Sequence, residues 1–280
     1  MKFSHYELYD LLNRPGPLWL AKADLSDANL RGAILRRAVL NGADLSRAIL
    51  NNADLSEADL SEANLSEGML IEVNLNKGVL VKADLSGANL GGANLSEANM
   101  GSAKLNHASM NEANLRNVNL GGAKIVRANL NKANLQGIHL GGADLSEARL
   151  IEVNMQGAKC VKANLSSASL ADSNLRESDL GRATLLGANL SRCNLSGADL
   201  SEANLSNATM NDANLSHAQL INANLHGASF FSANLCNANL GGANLTNVNL
   251  AKARYNASTI WPEGFDPQAA EAELVQDEGG

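Results

Sequence analysis

The chain has 280 residues and a formal charge of −7; 45% of it is hydrophobic but only 3% aromatic. So few aromatics exclude an ordinary globular core, which fills space with mixed large and small apolar side chains, and the hydrophobic share excludes disorder. Composition this narrow points to a repeat.

The charge is unevenly placed. Residues 261–280 hold six acids (Glu263, Asp266, Glu271, Glu273, Asp277, Glu278) and no Lys or Arg, and residues 1–20 balance at zero. Region 21–260 therefore carries only −1. Cys160, Cys193 and Cys236 cannot all pair with one another and read as reduced thiols filling repeat positions.

Residues 1–20 are expected to form an N-terminal helical cap. The opening, MKFSHYELYDLLNRPGP, has no apolar run with a small-residue cleavage site, so the expected location is cytoplasmic. No stretch approaches the length of a membrane span, and none is expected. Residues 4–13 predict a short helix. Ser4 and Glu7 have capping-box spacing, Phe3 and Leu8 fit a hydrophobic staple, and Leu8, Leu11 and Leu12 share one face. Pro15-Gly16-Pro17 stops it.

From residue 21 to 260 the period is five. Of the 47 positions 25, 30, 35 and so on to 255, 39 are Leu; two residues earlier, 37 of 47 are Ala. Asn or Asp usually lies between. The unit is A-(N/D)-L-x-x, as in Ala93-Asn94-Leu95-Ser96-Glu97. Five suits neither a helix nor a flat strand. The chain must turn once per unit, with Leu and the small residue inward and the other three outward. Four such sides make a coil of about 20 residues, and coils stack at the strand spacing of about 4.8 Å.

Charges at the second x test the four-sided arrangement. Of 14 charged pairs 20 apart, 12 have opposite sign, including Asp27–Arg47–Glu67, Arg37–Glu57–Lys77–Glu97 and Arg127–Glu147. At spacing 25 only four of nine do, and at 15 nine of 12, which favours 20 and leaves 15 open. Glu152–Asp172 and Lys162–Arg182 are the exceptions. Asn recurs at every twentieth position from Asn74 to Asn234, an unbroken column suited to an amide ladder. Ile71-Glu72-Val73-Asn74 recurs as Ile151-Glu152-Val153-Asn154, which suggests duplication of a four-coil block.

These residues carry a resemblance. The A(D/N)LXX motif, running in register over most of the chain, resembles the pentapeptide-repeat family. The resemblance implies an all-β fold, a right-handed quadrilateral parallel β-helix or solenoid of about 12 coils. Beyond it, residues 261–280 are expected to form a C-terminal plug and acidic tail. Thr259-Ile260-Trp261-Pro262-Glu263-Gly264-Phe265-Asp266-Pro267 is similar to the ending of many such proteins in cyanobacteria. Trp261 and Phe265 are expected to close the last coil, and 268–280 to fray.

No catalytic residues are expected: the interior is filled by Leu and Ala, and nucleophile, base and carboxylate form no cluster. His5, His107, His139, His217 and His226 are scattered, so no metal site is expected, and no cofactor. Gly-Gly pairs at 91, 121, 141 and 241 are not followed by Lys-Ser/Thr and make no phosphate loop. Outward apolar residues are the candidates. Ile71, Ile151 and Phe231 share one side at intervals of four coils, and Ile49 and Met69 join Ile71 there. They form a candidate docking surface.

The leading expectation is a non-catalytic scaffold or regulator with an unidentified protein partner, present as a monomer or end-to-end homodimer. The alternative, carried by resemblance, is a DNA-mimic modulator of DNA gyrase or topoisomerase, as in quinolone-resistance members. That mechanism needs clustered negative charge, which a repeat region of −1 lacks. A third reading is a structural spacer. Without a basic patch, no direct nucleic-acid binding is expected.

Overall fold

The structure, a computed structural model, describes Tyr6, Asp10 and residues 16–276. The helix expected over 4–13 lies outside the described residues except at Tyr6 and Asp10. The chain divides into two compact units, Met1–Asp144 and Leu145–Gly280.

In each unit the backbone turns at every fifth residue. Asp24 and Asp44 show the rule. They face each other as a parallel bridge. Leu25 N–H donates to Asp44 C=O at 2.7 Å, and Asp44 N–H donates to Ala23 C=O at 2.9 Å. At the corner, Asp27 N–H donates to Ser46 C=O at 2.9 Å and Ala28 N–H closes a turn on Leu25 C=O at 3.1 Å. In unit 1 parallel bridges join each position i to i+20, from Trp19↔Val39 to Lys124↔Asp144; in unit 2 they run from Arg149↔Ser169 to Asn234↔Arg254. The coil spacing is therefore twenty, and the alternative of 15 is removed. Each unit is a four-sided β-solenoid. We number its sides by their first full members, 23–27, 28–32, 33–37 and 38–42, each recurring once per coil.

The motif follows from this geometry. Leu and Ala point inward and are essentially fully buried through the stack, as at Leu95 and Ala93 in unit 1 or Leu205 and Ala203 in unit 2. Each buried Leu contributes roughly 1.5–3 kcal/mol of transfer free energy. Asn or Asp precedes Leu because its side-chain oxygen accepts the N–H two residues on. Asp44 Oδ1 takes Ser46 N–H at 3.0 Å, and Asn64 Oδ1 takes Ser66 N–H at 3.1 Å. The second x has φ from 55° to 62° wherever it is not glycine. No β-branched or apolar residue occupies that position from 22 to 252, because the left-handed region crowds such side chains most.

Outward side chains bond along the columns. Arg37–Glu57 (2.9 Å) and Arg47–Asp27 (2.8 Å) pair in unit 1, with Lys77–Glu97 and Lys82–Glu62 at 3.8 and 3.9 Å. In unit 2 the like-charged exceptions are resolved by the next coil: Asp172 turns to Arg192 at 2.6 Å and Arg182 to Glu202 at 3.0 Å. The amide column forms in part, with Asn94 Nδ2 on Asn74 Oδ1 (3.3 Å) and Asn114 Nδ2 on Asn94 Oδ1 (3.2 Å) in unit 1, and Asn174 on Asn154 (3.2 Å) and Asn234 on Asn214 (3.3 Å) in unit 2. It is not confined to that side, since Asn119 donates to Asn99 at 3.0 Å and Asn244 to Asn224 at 3.1 Å.

The end of unit 2 departs, over 268–276, from the frayed tail expected over 268–280; residues 277–280 lie outside the described residues. Tyr255 meets Trp261 edge-on at 5.5 Å, and Phe265 stacks on Trp261 at 5.3 Å. One inserted residue shifts the register, so Asn239 pairs with Ile260. The chain then returns. Strand β1 (Arg254–Tyr255) pairs in parallel with β2 (Glu273–Leu274), and Val275 N–H donates to Tyr255 C=O at 2.8 Å. Residues 272–276 thus add a rung to the last coil and satisfy backbone groups that an open edge leaves bare.

Candidate interaction surface

The outward residue before each Leu stands at the middle of its side and determines what a partner meets. In unit 2 it is polar throughout 149–254, mostly Asn. In unit 1 it is polar from Asp84 to Asp144. Between 19 and 79 it is apolar six times, at Trp19, Ile34, Val39, Ile49, Met69 and Val79. Trp19 is 81% exposed, Ile34 73%, Met69 41% and Val79 37%.

Of the residues singled out from the sequence, the structure brings Ile49, Met69 and Ile71 together on side 2 of unit 1. Ile49 and Met69 are bridge partners, and Ile71 follows at the corner. Ile151 and Phe231 lie in unit 2. Ile151 is half-buried, and Phe231 is exposed, with Lys252 Nζ 5.5 Å from its ring centroid. Trp19, Ile34, Val39 and Val79 stand, like Ile49 and Met69, one step before Leu; they are absent from the sequence candidates because those were gathered on the one side that holds Ile71.

Placing an apolar residue there has a local cost. Met69 has no side-chain oxygen to take the N–H of Ile71. Asn51, one coil earlier and buried, supplies it: Asn51 Oδ1 accepts Ile71 N–H at 3.0 Å. Asn106 does the same for Val126 N–H, at 3.2 Å, beside Lys124.

The coil of residues 53–72, inside this apolar region, is acidic. Asp54, Glu57, Asp59, Glu62, Glu67 and Glu72 fall on it, with no Lys or Arg between positions 48 and 76. Arg36, Arg37 and Lys82 in neighbouring coils reach Asp54 (3.5 Å), Glu57 (2.9 Å) and Glu62 (3.9 Å). Hydrogen bonding to Arg37 holds the Glu57 carboxyl below its ordinary range.

Nothing comparable to a reaction centre accompanies this among the described residues. A polar concavity of about 440 Å³ at the end of unit 2 is lined by Asn234, Asn237, Arg254, Asn256 and Gln276 among others. Its amides are engaged with one another: Asn237 N–H donates to Asn256 Oδ1 at 2.9 Å and Asn256 Nδ2 returns to Asn237 Oδ1 at 3.3 Å. Cys160 and Cys193 are buried, and burial pushes both thiols up to about 12. Among the described residues, no group of three or more His, Cys, Asp and Glu can hold a metal ion, and no helix is long and apolar enough to cross a membrane.

Comparison with known proteins agrees with the repeat. The sequence matches the family model of pentapeptide repeats in eight copies, in segments from residues 23–61 to 228–254. No curated protein sequence matches it. Among solved structures it is similar to HetL, a pentapeptide repeat protein involved in heterocyst differentiation regulation from the cyanobacterium Nostoc sp. strain PCC 7120. The two are 33% identical over 86% of this chain and 94% of that one, with a TM-score of 0.43. Alr5209 from Nostoc PCC 7120 is 38% identical over 36% of this chain and 84% of its own, with a TM-score of 0.36. QnrB1, a plasmid-mediated fluoroquinolone resistance protein, is 15% identical over 76% of this chain and 91% of its own, with a TM-score of 0.30.

Proposed function

The chain belongs to the pentapeptide-repeat family, and on that premise we propose that it is a non-catalytic scaffold or regulator that binds a protein through the outward apolar residues of unit 1. One observation carries the reading: along the regular repeats from 19 to 254, mid-side apolar residues occur only within 19–79, and every other mid-side position is polar. A regular stack presents such side chains already ordered, so little conformational entropy is lost on binding. Ile49, Met69 and Ile71 on side 2 are part of that surface. DNA mimicry finds less support. Its carboxylates should carry net negative charge along the column as phosphates do, whereas region 21–260 carries only −1 and Asp54, Glu57 and Glu62 are paired with Arg36, Arg37 and Lys82.

The test is affinity capture from a native cell extract with the wild-type chain and with Ile49→Ser/Met69→Ser/Ile71→Ser. A partner retained by the wild type and lost by the triple variant supports the reading. An identical set of captured proteins removes side 2 from it. A supercoiling assay addresses the other reading, for which inhibition of gyrase at micromolar protein is required.

A further inference from the structure

Side 4 of unit 1 carries a second, differently built surface. Trp19, Val39, Asp59 and Val79 are consecutive bridge partners and form one column. Val81 stands at the corner beside Val79. Trp19 is the most exposed of the four at 81%, and Val39 and Asp59 are half-exposed. Asp59 Oδ1 accepts Ser61 N–H at 3.0 Å, and among the described residues no ion pair engages its carboxylate. Its acidic neighbour in the coil, Glu62, is already paired with Lys82. A lone carboxylate thus sits between two valines, with a tryptophan at the end of the row.

We propose that side 4 is the docking site for an amphipathic α-helix of a protein partner, laid along the column axis, with a lysine or arginine facing Asp59. Two features of the column select this occupant. The first is length. Rungs recur at about 4.8 Å, so the four residues stand at about 0, 4.8, 9.6 and 14.4 Å. A helix rising about 1.5 Å per residue places positions i, i+3, i+7 and i+10 at about 0, 4.5, 10.5 and 15 Å. An apolar stripe of ordinary heptad spacing therefore meets every rung. The second is charge. Apolar–apolar–acid–apolar along the column asks for apolar–apolar–cation–apolar on the helix, and a misplaced acid would face Asp59 in a dry contact. Trp19 supplies the large anchor typical of such interfaces.

The inference rests on the scaffold reading and names the partner's chemistry. It is tested on the full chain with a synthetic amphipathic helix bearing leucine at i, i+3 and i+10 and lysine at i+7, against the same helix with glutamate at i+7. Trp19 reports directly; Trp19→Phe removes its signal and leaves that of Trp261. The lysine helix is expected to shift the Trp19 emission to the blue and to bind on the order of tenfold more tightly than the glutamate helix. Asp59→Lys, with an unchanged circular dichroism spectrum, is expected to reverse that preference. Equal affinity for the two helices, or no emission change at about 100 µM of either, overturns the proposal. So does a Trp19 shift produced by raising the protein's own concentration, which would assign the face to self-association. Failure here with partner capture intact in the side 2 experiment overturns the docked helix alone and leaves the scaffold reading standing.

Discussion

At residue 51 one amide stands in for a missing one. Asn51 Oδ1 takes the Ile71 N–H that an Asn or Asp at 69 would take, and the amide is buried. Asn51→Ala leaves that N–H without its acceptor. A loss of about 1–3 kcal/mol is expected in urea unfolding, whereas Asn111→Ala, on the same column below, is expected to cost less. Met69→Asn in the Asn51→Ala background restores a local acceptor and is expected to recover most of the loss. The buried thiols make a second residue-scale prediction. Cys160 and Cys193 ionise near 12 in the fold against about 9 when exposed. The raised value means the fold favours the protonated thiol. Stability is complete below pH 9 and declines as the pH rises from 9 toward 12, as the unfolded chain ionises first. Cys160→Ala/Cys193→Ala is expected to flatten this alkaline slope in thermal melts between pH 8 and 11. In the native wild type at pH 8, neither thiol is expected to react with a thiol reagent.

At the scale of the element, a pentapeptide side is defined by its columns. The Ala and Leu columns fill the interior, and the charged column outside sets which coil lies on which. Arg37, Glu57, Lys77 and Glu97 alternate in sign down one corner, and Arg37 hydrogen bonds draw the Glu57 carboxyl below its usual range. A lowered carboxylate favours the fold above its unfolded value, and that contribution is lost as pH falls through the folded one. Glu57→Lys places three cations in succession. A lower melting temperature is expected at low salt, with the difference from wild type shrinking in 1 M salt as screening sets in. A salt-independent difference would mean that the corner geometry, not charge, is responsible. Much of this was legible beforehand, because the sign alternation at spacing 20 is in the sequence. The two like-charged exceptions were not resolvable there. Asp172 and Arg182 each have a neighbour above and below, and only the side-chain geometry shows which one each takes.

At the scale of the whole molecule, each unit is a stack whose repeat is one four-sided coil. Removing residues 94–113 from unit 1 takes out one full coil, keeps every later residue on its own side and brings Asn114 onto Asn74. Removing 94–108 moves every later residue by one side and sets Ser109 against Asn74 instead. The first deletion is expected to melt close to wild type and the second several degrees lower, since its amide ladder and corner charges are mismatched. Equal melting temperatures would show that the outward columns contribute nothing to register.

The five-residue period, the inward Leu and Ala and the outward polar residues were determined by sequence alone, whereas the choice of a twenty-residue, four-sided coil over one of 15 was made by the bridge register. A backbone that must bury two residues in five and pair its amides between coils has few other solutions. The choice of Asn or Asp before Leu is also local, since it serves an N–H two residues away. Tertiary structure decided what depends on residues a full coil or more apart. It placed Asn51 under Ile71, lined up Trp19, Val39, Asp59 and Val79 on one side, and folded residues 272–276 back as a further rung. The tail shows the reason: its acidic, aromatic-poor sequence has no pairing period of its own, and it takes its rung from the bare edge of residues 252–255, where Glu273 N–H and Val275 N–H donate to Ala253 and Tyr255 C=O.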